Sequence, residues 1–330
     1  MATGHLEITG EIDLAQFWPT RQSDADTVHV TLVPPAGAFR FRASPGHPVI
    51  TTKAFEHAGT FQRQPDGTKK FNPLIHQGHI TIRLQGVDAP ELHFQPPLKG
   101  TEDFRQYLGE TCTTELAQRL RRGGGPTVSC RVVTAVDHPN DTIDAYGRFV
   151  GDILISEGGA EVNVNDWLLE AGWAFPAFYD SMSAAEITRM MAAAKPAEQQ
   201  KLGIWKFYTS TIGPLDWNLV FRRNGPPLPE KDHGPVIFPK LFRRLCNYGV
   251  KVKTQHLKGT YSSFLAGLKP QDYCHQTADF LKTGSAKATQ KRLSQFVTAQ
   301  NKFLAEPGGL VYSEHPGTIV DAQNKPIKSW

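Results

Sequence analysis

Ile80-Thr81-Ile82-Arg83-Leu84-Gln85-Gly86-Val87-Asp88-Ala89-Pro90-Glu91 is the stretch from which the fold is read. Its first five residues alternate apolar and polar, as a half-buried strand does. Gly86 then opens a turn. Pro90 drives Ala89 into extended backbone and stiffens the link between Asp88 and Glu91. An arginine on a strand end is thus followed by two carboxylates on a rigid turn.

Upstream, Thr27-Val28-His29-Val30-Thr31-Leu32 alternates in the same way and follows the acidic cluster Asp24-Ala25-Asp26. Residues 34–78 are rich in Pro, Gly and His, lack periodicity, and read as a long insertion with one hairpin. Downstream, Thr101 is placed to cap a helix in which Phe104, Leu108, Cys112, Leu116 and Leu120 recur every fourth residue, and Gly123-Gly124-Gly125 stops it. Strands follow at 128–132 and 149–155, joined by a polar turn that includes Asp144-Ala145-Tyr146-Gly147-Arg148. Helices are expected at 164–171, ending on Gly172, and at 184–202, where Pro196 should break or kink the run. Strands, a helix, strands and helices in that order fit an α+β fold, a small barrel with helices packed against it. There is no internal repeat.

Three polar clusters lie at strand ends or turns: Asp24–Thr27, Arg83–Glu91 and Asp144–Arg148. In a barrel such ends converge on one rim, and these side chains are expected at a wet rim. Phosphodiester hydrolysis needs fixed positive charge for the oxygens that become more negative. Guanidinium supplies it with a planar fork that matches two phosphate oxygens. A hard divalent cation prefers carboxylate and carbonyl oxygens, and a further carboxylate can deprotonate the attacking water. Arg83 and Arg148 suit the first task, Asp26 and Asp88 the second, and Glu91 the third.

In this order, the three clusters resemble the active-site motifs of the staphylococcal nuclease (thermonuclease) family, over roughly residues 5–205. The segment Asn165–Ala174 is similar to that family's helix and turn ahead of its nucleotide-contacting aromatics, and Leu202-Gly203-Ile204-Trp205 to its usual ending. The resemblance implies a five-stranded OB-fold barrel with packed helices and Ca²⁺-dependent cleavage of DNA, RNA or both, leaving a 3′-phosphate and a 5′-hydroxyl. It makes Arg83 and Arg148 the catalytic arginines and Glu91 the catalytic glutamate. It makes Asp26 and Asp88 the metal carboxylates, with the Ala89 backbone carbonyl as a further ligand. Tyr146 falls where the family has a nucleotide-contacting tyrosine, and Phe178 and Tyr179 fall near its aromatic pair, one hydroxyl being lost. Two features depart from the family. Ala25 replaces a usual glycine, and the 34–78 insertion stands where a short hairpin is normal. Within that insertion Phe39-Arg40-Phe41-Arg42 suits stacking on a nucleic-acid strand, but an ordinary amphipathic strand is the commoner cause of such alternation and is the expectation.

The bulk numbers agree with a folded chain. Of 330 residues 39% are hydrophobic and 21% charged, which excludes a disordered polyelectrolyte. No stretch approaches the ~20 apolar residues of a membrane span. The first residues lack a signal-peptide pattern, so the cytoplasm is the default compartment, with leaderless export left open. Four scattered cysteines point to buried free thiols, not to a disulfide framework. The net charge of +4 is unevenly spread, −6 over residues 1–205 and +10 over 206–330. The expected organisation is a nuclease-like domain at 1–205, a linker-like segment at 206–235 and a basic, mainly helical region at 236–330 whose role the residues do not reveal. DNA and/or RNA are the expected partners, no membrane is, and a protein partner through the C-terminal region is left open. Two other readings remain: a catalytically silent nucleic-acid or protein-binding module on the same barrel, and a nuclease toxin or effector whose tail serves delivery or docking. Such silent modules typically lose the arginines or the glutamate, and this chain keeps all three.

Overall fold

The computed structural model describes every residue except 1, 22, 36, 64–67, 99, 223–224, 229–233, 285–287 and 315–316. In chain order, the first strands are β1 (His5–Asp13), β2 (Thr27–Leu32), β3 (Phe39–Arg42), β4 (Ile50–Thr51), β5 (Gly59–Arg63), β6 (Lys69–Pro73) and β7 (His79–Leu84). The short strands β8 (Val87–Asp88) and β9 (Asp103–Phe104) lead to helix α1 (Gly109–Arg121). Next come β10 (Thr127–Ala135), β11 (Phe149–Glu157), β12 (Ala160–Asn163), α2 (Val164–Glu170), β13 (Phe175–Pro176), β14 (Phe178–Tyr179) and α3 (Ala184–Gln200). The remainder is β15 (Val220–Phe221), α4 (Pro239–Gln255), α5 (Tyr261–Ala266), β16 (Tyr273–Gln276), α6 (Thr277–Thr283), β17 (Lys291–Arg292) and β18 (Leu310–Tyr312). Two compact units result. One comprises Met1–Gln85, Ala117–Trp167 and His315–Trp330, the other Gly86–Leu116 and Leu168–Glu314.

The first unit is built on a closed five-stranded barrel of OB-fold type. Strand β1 pairs with β2, β2 with β7, β7 with β11, β11 with β10, and β10 returns to β1. All these pairings are antiparallel except β7 with β11, which is parallel. Alternation decides what faces inward: Ile8, Val30, Ile82, Val132 and Ile153 are all buried. Each such side chain contributes about 1.5–3 kcal/mol of hydrophobic stabilisation. Gly10 faces both Leu32 and Cys130, and a Cβ there would stand 2.4 Å from the Thr31 carbonyl oxygen, so the close approach of β1 to β2 needs glycine.

The insertion is more ordered than its composition suggests. Strand β3 pairs with the first half of β1 and carries β4 on its other edge, while β5 and β6 form a hairpin. Phe39 and Phe41 are buried, and Arg40 and Arg42 are exposed. Phe39 packs on Phe55 and Phe149, and Phe41 stacks on Trp330 with centroids 3.9 Å apart. This is the ordinary amphipathic strand, and its rings are not free to stack on bases.

The second unit holds the four-stranded sheet β14-β18-β16-β17, with α3 to α6 and several short strand pairs. Phe175 is its aromatic hub, touching Trp205, Tyr208 and Phe238. The region expected to be mainly helical supplies α4, α5 and α6 and also β16, β17 and β18. Three local expectations are corrected. Helix α1 starts at Gly109 and not at Thr101, because Asp103 and Phe104 pair with Phe221 and Val220 and the Arg105 N–H donates to the Leu219 carbonyl. Helix α3 runs through Pro196 to Gln200 without ending there. The 34–78 insertion contributes paired strands beyond the single hairpin expected of it.

By sequence, the units divide differently from the linear segments 1–205, 206–235 and 236–330. Residues 206–314 share a unit with 86–116 and 168–205. The charge imbalance shrinks accordingly. The first unit has 15 Lys and Arg against 15 Asp and Glu, and the second 21 against 17. All four cysteines are free and buried, as expected. Among the described residues, no helix is long and apolar enough to cross a membrane.

Candidate active site

In the first unit, β-register brings two strand-end motifs together. Arg83 on β7 faces Thr27 on β2 and Val150 on β11. Its guanidinium forms an ion pair with Asp26 and lies 3.5 Å from the Asp26 carbonyl oxygen. Both side chains are largely out of solvent, Arg83 at 9% and Asp26 at 6% exposure, so the wet-rim expectation does not hold for them. Thr27 links this pair onward: its hydroxyl donates to Asp26 Oδ1 at 3.2 Å and accepts from Arg148 Nη1 at 3.1 Å.

Arg148 follows a turn made by Asp144. Asp144 Oδ1 accepts from the Tyr146 and Arg148 backbone N–H groups at 2.9 and 3.0 Å. Its Oδ2 takes the Arg148 Nε at 2.7 Å and Nη2 at 2.6 Å. Gly147 closes the turn at φ +82°, a region that favours glycine. Asp144 therefore both shapes the turn and aims the fork, a role beyond the plain turn residue that its position suggests. Tyr146 is 72% exposed, with the Arg148 guanidinium 5.4 Å from its ring centre. It has the exposed face that base contact requires.

In the second unit, Asp88 ends β8, which is paired with Phe175 and Pro176 of β13. Asp88 is 1% exposed. The Glu91 backbone is locked by Gln106, whose N–H donates to the Glu91 carbonyl at 2.7 Å. Asp88 and Glu91 do come together, through a residue that the sequence did not single out. Arg243 of α4 donates from Nη1 to Asp88 Oδ1 at 3.2 Å and from Nη2 to Asp88 Oδ2 at 3.1 Å, and its Nη1 also pairs with Glu91. Burial works against the charge of Arg243, but Asp88 and Glu91 more than offset this and hold it protonated well above the ordinary arginine range. Phe178 is fully buried in β14, so its ring has no face for a nucleotide, while Tyr179 is half-buried, 6.2 Å from the Tyr312 ring.

The donor set does not fit a metal as it stands. Asp88 and Glu91 face Arg243, and Asp26 faces Arg83. Among the described residues, no group of three or more His, Cys, Asp or Glu side chains is arranged to hold a metal ion.

A closed OB-fold barrel with packed helices is consistent with a staphylococcal-nuclease-like domain. Residues 81–207 match the family model of staphylococcal nuclease homologues, and no family model matches the rest of the chain. No curated protein matches the chain. The matched span includes Arg83, Asp88, Ala89, Glu91, Tyr146, Arg148, Phe178 and Tyr179, and excludes Asp26 and Arg243.

Proposed function

We propose that the chain is a nuclease that hydrolyses phosphodiester bonds of DNA, RNA or both, leaving 3′-phosphate and 5′-hydroxyl ends. The observation that carries this reading is the anchoring of Arg148, whose fork is set by Asp144 and Thr27 before any substrate arrives. Preorganised charge needs no rearrangement as negative charge develops on phosphorus oxygens. In this reading Arg83 and Arg148 bind the phosphate and stabilise the transition state, Glu91 takes the proton of the attacking water, and Tyr146 stacks on a base. Asp26 and Asp144 are positioning residues for the two arginines. Calcium, with Asp26, Asp88 and the Ala89 carbonyl as its ligands, comes from the resemblance alone. Asp26 faces Arg83 and Asp88 faces Arg243, so these carboxylates do not fit a calcium ion as they stand.

A second reading rests on a specific observation. Glu91 is paired with Arg243 through Oε1. A barrel that binds nucleic acid without cutting it would tolerate that pairing. Labelled DNA and RNA incubated with Ca²⁺, Mg²⁺ or EDTA decide between the two. Cleavage supports the nuclease; tight binding with no cleavage under any condition transfers the assignment to the binding module.

A further inference from the structure

We infer that Arg243 is a built-in cation that takes the place of a divalent metal at Asp88 and Glu91, so that the folded chain excludes Ca²⁺ from this carboxylate pair. The inference rests on the nuclease reading above, in which Asp88 is a calcium ligand and Glu91 the base beside it, but its test does not depend on cleavage. Arg243 lies on α4, outside the span that matches the nuclease family.

The geometry is that of a filled site. The guanidinium fork spans both oxygens of Asp88 and reaches Glu91 with the same Nη1. The fork takes a lone pair on each oxygen of Asp88 at 3.2 and 3.1 Å, so a Ca²⁺ bound to the same oxygens would sit against the positive charge of the guanidinium. The surroundings are charge-balanced without a metal. One turn of α4 presents Lys240, Arg243 and Arg244. Arg244 binds Asp272 through two 2.7 Å contacts, and Lys240 lies 3.7 Å from the same carboxylate. Three cations therefore meet the three carboxylates Asp88, Glu91 and Asp272. Burial already pulls the Lys240 ammonium down from the usual lysine range, against the pull of Asp272. Adding Ca²⁺ to the Asp88–Glu91 pair would bring a divalent charge against these cations and strip Arg243 of its partners. The Arg243 side chain is 24% exposed, so solvent screens part of the cost, but a largely desolvated guanidinium left without its partners is still strongly destabilising. Ca²⁺ binding at this pair should accordingly be weaker by about 10²-fold or more than with Arg243 absent.

The test titrates Ca²⁺ alone into the full chain by calorimetry, with thermal melts in parallel, for wild type, Asp88→Asn, Arg243→Gln, Arg243→Lys and Arg243→Gln/Asp88→Asn. Wild type and Arg243→Lys should show no Ca²⁺-dependent rise in Tm. Arg243→Gln should bind Ca²⁺ at least about 10²-fold more tightly than wild type and melt higher with it, and Asp88→Asn should abolish that gain. If Arg243→Gln does not fold alone, refolding in Ca²⁺ should restore a cooperative melt. Wild type that binds Ca²⁺ at micromolar levels and loses it through Asp88→Asn alone would overturn the inference. So would a folded Arg243→Gln that binds no better than wild type, or an unfolded one that Ca²⁺ does not rescue. A protein that behaves as inferred but never cuts nucleic acid refutes the nuclease reading and leaves this one standing.

Discussion

Asp144→Asn separates a turn residue from a residue that aims an arginine. Asn serves an Asx turn as well as Asp does, so Oδ1 can still accept from the Tyr146 and Arg148 N–H groups. The other half of the side chain becomes an NH₂ that faces the Arg148 Nε and Nη2, donor against donor, where Oδ2 now stands 2.7 and 2.6 Å away. Hydrogen bonds to charged groups contribute about 1.5–3 kcal/mol each. The Arg148 side chain is 29% exposed, so solvent screens part of this. A net loss of about 2 kcal/mol remains, or a fall in Tm of about 4–8 °C for a body of this size. Arg148 would keep its contact with Thr27 but lose its orientation, and turnover should fall on the order of 10-fold with little change in KM. Calorimetric melts and steady-state cleavage of labelled DNA measure both effects. A variant that melts within about 1 °C of wild type and turns over normally would show that Asp144 does no more than shape the turn.

Arg83→Lys keeps the charge and loses the fork, so it should lower kcat more than it raises KM; the reverse pattern in steady-state kinetics would make Arg83 a binding residue only. Glu91→Gln should cost about 10²–10⁴ in turnover if Glu91 is the base, and normal turnover in a folded variant refutes that role. Burial pushes the Cys130 and Cys274 thiols up to about 12 and raises that of Cys246 as well. Thiolate is the reactive form, so at pH 8 a thiol reagent should label none of the four cysteines natively and all four in denaturant. Rapid native labelling of any one of them would contradict its burial.

What was legible in the sequence was local. Alternation in residues 27–32, 80–84, 128–132 and 149–155 is a direct image of one buried face, and four barrel strands lie there. The FRFR strand was legible for the same reason. The start of α1 was not, because Asp103 and Phe104 are pulled into strand by Val220 and Phe221, far along the chain. The burial of Arg83 was missed because a strand-end arginine reads as exposed, and only the register that sets it beside Thr27 reveals Asp26 as its counter-charge. Asp144 did carry a signal, since its spacing of four from Arg148 across a turn allows an ion pair, but Asp in a turn is too common to stand out. Arg243 carried none. On an amphipathic helix it looks like any solvated cation, and its partners lie about 150 residues away in a turn whose own motif points to a metal.

The placement of Arg243 leads to a last prediction, that the chain cut after residue 205 does not fold natively. The matched family segment ends near there, so 1–205 looks like a natural fragment. The second unit argues otherwise. Phe178 and Tyr179 form a strand whose partner is Val311 and Tyr312, and Phe104 pairs with Val220. Gln106 donates to the Ile237 carbonyl, and Phe175 packs on Tyr208 and Phe238. Removing 206–330 would open Phe104, Phe175 and Phe178, all fully buried, to water. At about 1.5–3 kcal/mol for each large side chain, the loss rivals the 5–15 kcal/mol by which a typical protein is stable. Asp88, also buried, would lose the guanidinium that holds both its oxygens. The fragment should therefore aggregate or show no cooperative melt, while the barrel strands retain β-type circular dichroism. Such a result would also mean that a weaker hold of the fragment on DNA says nothing about the basic charge of 206–330, because the loss of fold would account for it. A soluble 1–205 fragment with a cooperative melt near that of the full chain would refute the argument, and would make residues 206–330 an appendage to a nuclease-like domain that stands without it.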